Sequence, residues 1–353
     1  MADWGSGYVT DSAYVHDFCR VQTPPMLALA ALAGGVDAPG GAGLPLVYCD
    51  LGCGQGYTAS LVAAANPAAH VLGFDFNPSH IANARKLAGA AGLSNAEFRE
   101  ASFSELLDDP SLPQFDIICM HGVYGWVSAD NRRTLGSLIR RKLRPGGLLY
   151  VSYDCMPGWA GMAPLRRIFV QSFAPRSGLP STAALAQAFA YADALRKADS
   201  RYHRMFPFVE AQLDRLRKTP PAYLAHELFP RHWEAFSFGE VVAELAEAKL
   251  SHVGSAHLTD WVDRVNFTEE QQRFLSTIQD PVLAEATRDL ILCRQFRRDV
   301  FAKGLVPLGE AQSRERWLDT RFALTTPANL FDMTFETALG KLQLRPDLYA
   351  PLM

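Results

Sequence analysis

Three glycines stand at alternate positions in "DLGCGQG", residues 50–56, directly behind the apolar run "LVYC". A strand that ends in an acid and turns through bare backbone into a helix opens a βαβ unit, and its loop lies at the carboxyl edge of a parallel sheet. Ligands of open α/β folds bind at that edge. The dinucleotide fingerprint G-x-G-x-x-G would need a third glycine at position 57, which is Tyr57. A phosphate-binding loop would need lysine before Thr58, and none is there. The spacing D-x-G-x-G-x-G fits neither fingerprint, and a nucleotide-type ligand at that edge is expected.

The rest of the first half agrees. Short β-forming runs at 46–50, 70–75, 96–100, 115–120 and 148–153 alternate with stretches of helical period at 57–65, 78–91 and 130–143. "RPGG" (144–147) stops the last helix and turns into the fifth strand. Residues 160–220 read as helices only, broken at proline and glycine. A strand-helix-strand pattern is predicted over 222–258, with "AYLAHELF" and "SHVGSAHL" as strands and Ser237 with Glu240 capping the helix between them. The remainder, 261–353, reads as mostly helical and then irregular.

With 353 residues, 48% of them hydrophobic, the chain can bury a large core. No window approaches the roughly 18 apolar residues of a membrane span, and no secretory signal opens the chain, so a cytoplasmic protein without membrane contact is expected. The net charge of −3 offers no global attraction for nucleic acid, and the basic clusters are interleaved with acids, so no nucleic-acid partner is expected. Six cysteines form no C-x-x-C pair and are read as reduced, structural thiols. The histidines lack metal-ligand spacing, and no metal is predicted.

The motif "DLGCGQG", the acid Asp75 closing the second strand, "FDIICMHG" and "LRPGGLLYVSY" resemble the corresponding segments of class I S-adenosylmethionine-dependent methyltransferases. Longer stretches, "MHGVYGWVSADNRR" (120–133), "LRPGGLLYVSYDCMPGWAGMAPLRR" (143–167), "YLAHELFPRHWEAFSFGEVVAELAEAKLSHVGSAHL" (223–258) and "LILCRQFRRDVFAKG" (290–304), are similar to bacterial methyltransferases that carry a methyltransferase regulatory domain, among them the rickettsial protein lysine methyltransferases. The resemblance implies an α/β, Rossmann-like class I methyltransferase seven-stranded sheet, with a helical insertion after strand five and a mostly helical C-terminal extension. It divides the chain into an N-terminal segment, 1–45, with a lid role; the S-adenosylmethionine-binding core, 46–159; the helical insertion, 160–221, as cap or homodimer contact; the end of the sheet, 222–260; and the C-terminal region, 261–353. This sequence departs from the family in carrying Asp154 where asparagine is usual, and in ending at Met353, short of the C-terminal domain of longer members.

The resemblance also implies the site. Asp50, Gly52, Gly54 and Gly56 would meet the cofactor's amino-acid end and ribose, and Asp75 with Phe76 the ribose and adenine. Ser102 and Phe103 stand where the fold commonly has an acid against the adenine amino group. His121, after strand four, faces the reacting centre and the cofactor. Tyr124 on the same loop, with Tyr153 and Asp154 at the end of strand five, complete the catalytic candidates, and Trp126 and Trp159 stand nearby. The N-terminal stretch with Tyr8, Tyr14 and His16 is read as a lid over the cofactor. Methyl transfer is an in-line displacement that mainly needs alignment and exclusion of water. A lysine acceptor must also lose a proton, at a cost of roughly 4 to 5 kcal/mol at neutral pH. The expected activity is N-methylation of protein lysine. The alternatives are a small-molecule O-, N- or C-methyltransferase with a capped pocket, or a non-catalytic cofactor-binding protein.

Overall fold

The computed structural model describes residues 7–9, 16–39, 45–174, 179–305, 307–323 and 326–349. After helix α1 (Pro24–Ala33), five strands run parallel: β1 (Val47–Leu51), β2 (His70–Asp75), β3 (Ala96–Glu100), β4 (Phe115–Met120) and β5 (Leu143–Asp154). The crossovers are α2 (Tyr57–Ala65), α3 (Pro78–Ala90), α4 (Phe103–Asp108) and α5 (Ala129–Lys142). Each starts where local chemistry dictates: Asn77 accepts the Ser79 amide ahead of α3, Ser102 and Glu105 form a capping box on α4, and Ser128 accepts the Asn131 amide on α5.

The helical insertion follows as α6 (Ala163–Ile168), α7 (Ser181–Lys197), α8 (Arg201–Met205), α9 (Phe208–Leu216) and α10 (Pro221–Leu228). It has its own core of Phe169, Ala188, Val209, Leu213, Leu224 and Leu228. Then come α11 (Phe238–Ala246) and β6 (Leu250–Ser255), followed by α12 (Asp263–Asn266), α13 (Glu269–Ser276) and α14 (Pro281–Leu292). Strand β7 (Phe296–Lys303) inserts antiparallel between β5 and β6, giving the order β3-β2-β1-β4-β5-β7-β6. Outside this sheet lie α15 (Glu310–Asp319), the hairpin β8 (Thr334–Thr337) with β9 (Gly340–Gln343), and α16 (Pro346–Tyr349).

Three segment readings are corrected. "AYLAHELF" forms helix α10, not a strand: Pro221 starts it, and Leu224, Ala225 and Leu228 recur at helical spacing into the insertion's core. The seventh strand lies instead at 296–303, inside the stretch read as mostly helical. Its alternate residues Arg297 and Asp299 are charged yet buried, so the apolar period that marks a strand is missing. Arg297 pairs with Asp289 and Asp299 at 2.8 Å, and its guanidinium lies 4.2 Å from the centre of the Phe238 ring. The "RPGG" segment belongs to β5 itself, as an irregularity in its pairing with β4. All six cysteines are free thiols. Among the described residues, no helix is long and apolar enough to cross a membrane.

Candidate active site

Strand order reverses between β1 and β4, so the loops after those strands splay apart at the carboxyl edge. Two cavities open there, of about 330 and 370 Å³, and they share Gly52, Gly54 and His121.

The first cavity is lined by Asp75, Phe76, Ser102, Phe103 and Trp126, with Tyr8 over it. Asp75 is buried at the end of β2: one oxygen accepts the Gly54 amide at 2.9 Å, the other the Asn77 amide at 2.9 Å, with His80 Nδ1 at 3.3 Å. Carboxylate oxygens hold further lone pairs, so the acid can still accept hydroxyl donors. Gly52 has φ +77°, and a Cβ there would fall 2.4 Å from Val123 Cγ2. Only glycine lets the β1 and β4 loops approach this closely. Ser102 lines the cavity but spends its hydroxyl on the cap of α4, where it meets Glu105 Oε2 at 2.8 Å.

The second cavity is lined by Asp50, Gln55, Thr58, the N-terminal residues 17–22, Tyr223, His257 and Arg298. Burial, reinforced by the nearby Asp75 charge, pushes Asp50 up to about 7. A bound cation beside it would restore its ionised form, which fits an ammonium group.

His121 joins the two. Its Nδ1 sits 2.9 Å from both Tyr150 Oη and Ser152 Oγ, and Ser152 Oγ accepts the Gly122 amide at 3.0 Å. Burial, then the Arg298 charge, lowers its pKa to about 4, so the imidazole is neutral at physiological pH. Nε2 has no protein partner among the described residues.

The other expected site residues lie elsewhere. Gly56 lines neither cavity; a Cβ there would fall 2.5 Å from Ala84 and 2.8 Å from Phe98, so it serves packing of α2. Tyr124 is buried against Phe236 and donates its hydroxyl to Glu244. Tyr153 is fully buried on the opposite face of β5 and donates to Asp299 Oδ2 at 2.7 Å. Asp154 is buried and accepts the Trp233 indole N–H at 2.6 Å; burial, with the Glu227 charge, raises it to about 8. Trp159 packs on Trp233 with ring centres 5.0 Å apart. Sequence reasoning passed over His80, Tyr223, His257 and Arg298. His80 was within reach, in the first turn of the helix opened by Pro78 five residues after Asp75. The other three come from distant elements and carry no local signal.

The N-terminal segment meets both cavities. Tyr8 stands edge-on to Phe76 at 6.0 Å, and Thr58 Oγ1 donates to the Asp17 carbonyl and accepts the Cys19 amide. Tyr14 lies outside the described residues.

The Synechocystis protein sll1526 is 37% identical over 99% of this chain and 68% of its own length. Residues 45–197 match the family described as methyltransferase domain, and residues 220–303 the predicted methyltransferase regulatory domain. The chain belongs to the methyltransferases with a regulatory domain. Rickettsia prowazekii RP789 is a further relative, 26% identical over 78% of this chain and 49% of that protein. Among solved structures, Rickettsia typhi PKMT2 in complex with AdoHcy superimposes with a TM-score of 0.72, at 22% identity, over 86% of this chain and 57% of that one. The methyltransferase thus spans little more than half the length of that structural relative and about half of RP789. Its fold is the class I sheet, and S-adenosylmethionine is the methyl donor that the family assignment implies. Asp75, Asp50 and the glycine-lined wall at Gly52 fit that donor's ribose, ammonium group and close backbone approach.

Proposed function

We propose that this methyltransferase N-methylates a lysine side chain of a protein acceptor. The observation that carries the reading is His121: a neutral imidazole, fixed through Nδ1 by two hydroxyls, on the wall shared by both cavities. The resemblance to the rickettsial lysine methyltransferases supports the acceptor class.

When bound, the donor supplies an electrophilic methyl group on a sulfonium. The residues of the chain do the rest. Asp75 holds ribose hydroxyls, Asp50 faces the ammonium, and the glycine loop lets both groups approach. His121 is uncharged, so it neither repels an incoming amine nor traps it as an ammonium, and Nε2 remains to orient the amine by a hydrogen bond. Phe296, edge-on to His121 at 6.0 Å, and the N-terminal residues keep water from the junction. Desolvation there lowers the amine pKa, and the proton leaves to solvent.

A small-molecule acceptor is the second reading, favoured by the size of the second cavity and by Tyr223 of the insertion at its rim. Incubation with methyl-labelled cofactor and cell lysate, followed by separation of protein from small molecules, tests both. Label recovered as methyl-lysine after protein hydrolysis supports the proposal. Label confined to the small-molecule fraction overturns it.

A further inference from the structure

Arg298 stands out among the charged groups of the second cavity. Its guanidinium lies 4.8 Å from the centre of the Phe296 ring, and Phe296 meets His121 edge-on. Among the described residues it forms no ion pair and no side-chain hydrogen bond. Its neighbours on the strand differ: Arg297 is bound by Asp289, Asp299 and Glu285. His257, on the same wall, is held by Asp260 and Thr259. The acids that line the cavity with Arg298 are Asp17 and Asp50, and neither pairs with it. Asp17 accepts the Phe18 amide, and Asp50 is the penultimate residue of β1.

The register fixes the separation. Asp50 pairs with Cys119, Cys119 with Tyr150, and Tyr150 with Val300. Three strand spacings, about 14 Å, therefore divide Asp50 from β7. Arg298 pairs with Ser152, the residue that holds His121. It therefore stands beside the residue that holds His121, three strands away from the acid assigned to the cofactor's ammonium.

A half-buried guanidinium with one aromatic neighbour and no counter-ion among the described residues is built to take a planar anion in a two-pronged hydrogen bond. We infer that Arg298 binds a carboxylate of the methyl acceptor, next to the methylated atom. The carboxylate belongs to a small acid or to an acidic residue flanking the target in a polypeptide. The inference rests on the placement of the acceptor beside His121, and goes beyond it in assigning the acceptor's charge.

The test uses binding alone, so that its failure is distinct from failure of the lysine reading. The full chain, saturated with S-adenosylhomocysteine, is titrated by calorimetry with two matched pairs: succinate against succinamide, and acetyl-Glu-Lys-Glu-amide against acetyl-Gln-Lys-Gln-amide. The acid of at least one pair is expected to bind about tenfold or more tightly than its amide counterpart. Arg298→Met should abolish that preference and Arg298→Lys retain part of it, with the S-adenosylhomocysteine affinity changed less than about twofold. Preference for succinate identifies a small acid; preference for the acidic peptide identifies a polypeptide. No acid preference in either pair, or a preference that survives Arg298→Met, overturns the inference. A parallel loss of S-adenosylhomocysteine affinity in both variants does so too, since it assigns the guanidinium to the cofactor's own carboxylate. Thermal melting of both variants, with Arg298→Lys as the conservative partner, separates these outcomes from misfolding.

Discussion

Asp75 Oδ2 accepts the Gly54 amide at 2.9 Å, so the acid at the end of β2 holds the glycine loop at the end of β1. One side chain thus shapes the loop and keeps lone pairs for hydroxyl donors such as those of a ribose. Asp75→Ala is expected to weaken S-adenosylhomocysteine binding about 10- to 100-fold, the scale of losing hydrogen bonds to a charged group. Asp75→Asn should recover part of the affinity. Calorimetry on the two variants checks this, and unchanged affinity in the alanine variant removes Asp75 from the site.

His121→Ala is expected to lower turnover about 100-fold while cofactor affinity moves little, because the ring meets the acceptor's side. Loss of binding alone contradicts that role. The pH profile offers a second check. The folded imidazole protonates near 4, against about 6.5 when unfolded. Activity should therefore show no inflection near 6.5. Between those values the unfolded chain binds the extra proton, so this group removes stability as pH falls from about 6.5 to about 4. Denaturant midpoints of the wild type and His121→Asn across that range should diverge toward acid.

Asp154 has the opposite sign. Its carboxyl titrates near 8 in the folded chain, against about 3.9 in the unfolded one. The folded state holds the extra proton, and stability falls as pH rises between these values. Asp154→Asn keeps an acceptor for the Trp233 N–H and cannot ionise. The variant should gain stability over the wild type as pH rises from 5 to 9, read by thermal melting. A constant difference across that range argues against the buried, protonated acid.

Deletion of residues 1–22 should weaken cofactor affinity, by about tenfold if Tyr8 and the stretch from Asp17 close the two cavities. Affinity equal to that of the intact chain would rule out the lid role.

The first five strands, the glycine motif, Asp75 and His121 were legible because their signals are local: apolar runs, turn residues and an acid at a strand end. Tyr153 and Asp154 show where such reading stops. Proximity to the end of β5 made them candidates, yet the pleat sends Tyr150 and Ser152 to His121 and turns Tyr153 away to Asp299. Strand β7 was hidden by buried charge. Arg297 and Asp299 read as surface residues until Asp289, from α14, is seen to neutralise the arginine. Arg298 entered the site only through the pairing of β7 with β5, a contact between residues 146 positions apart in the case of Ser152 and Arg298.

The segment from 220 to 303 supplies β6 and β7 and so completes the sheet that begins at Val47. It is not a detachable controller appended to a finished enzyme. A polypeptide halted before it would leave β5 paired with β4 on one edge and bare on the other, open to sticking to other unfinished copies. The sheet can therefore close only once the chain has passed Lys303, and truncated forms ending near residue 219 are expected to aggregate.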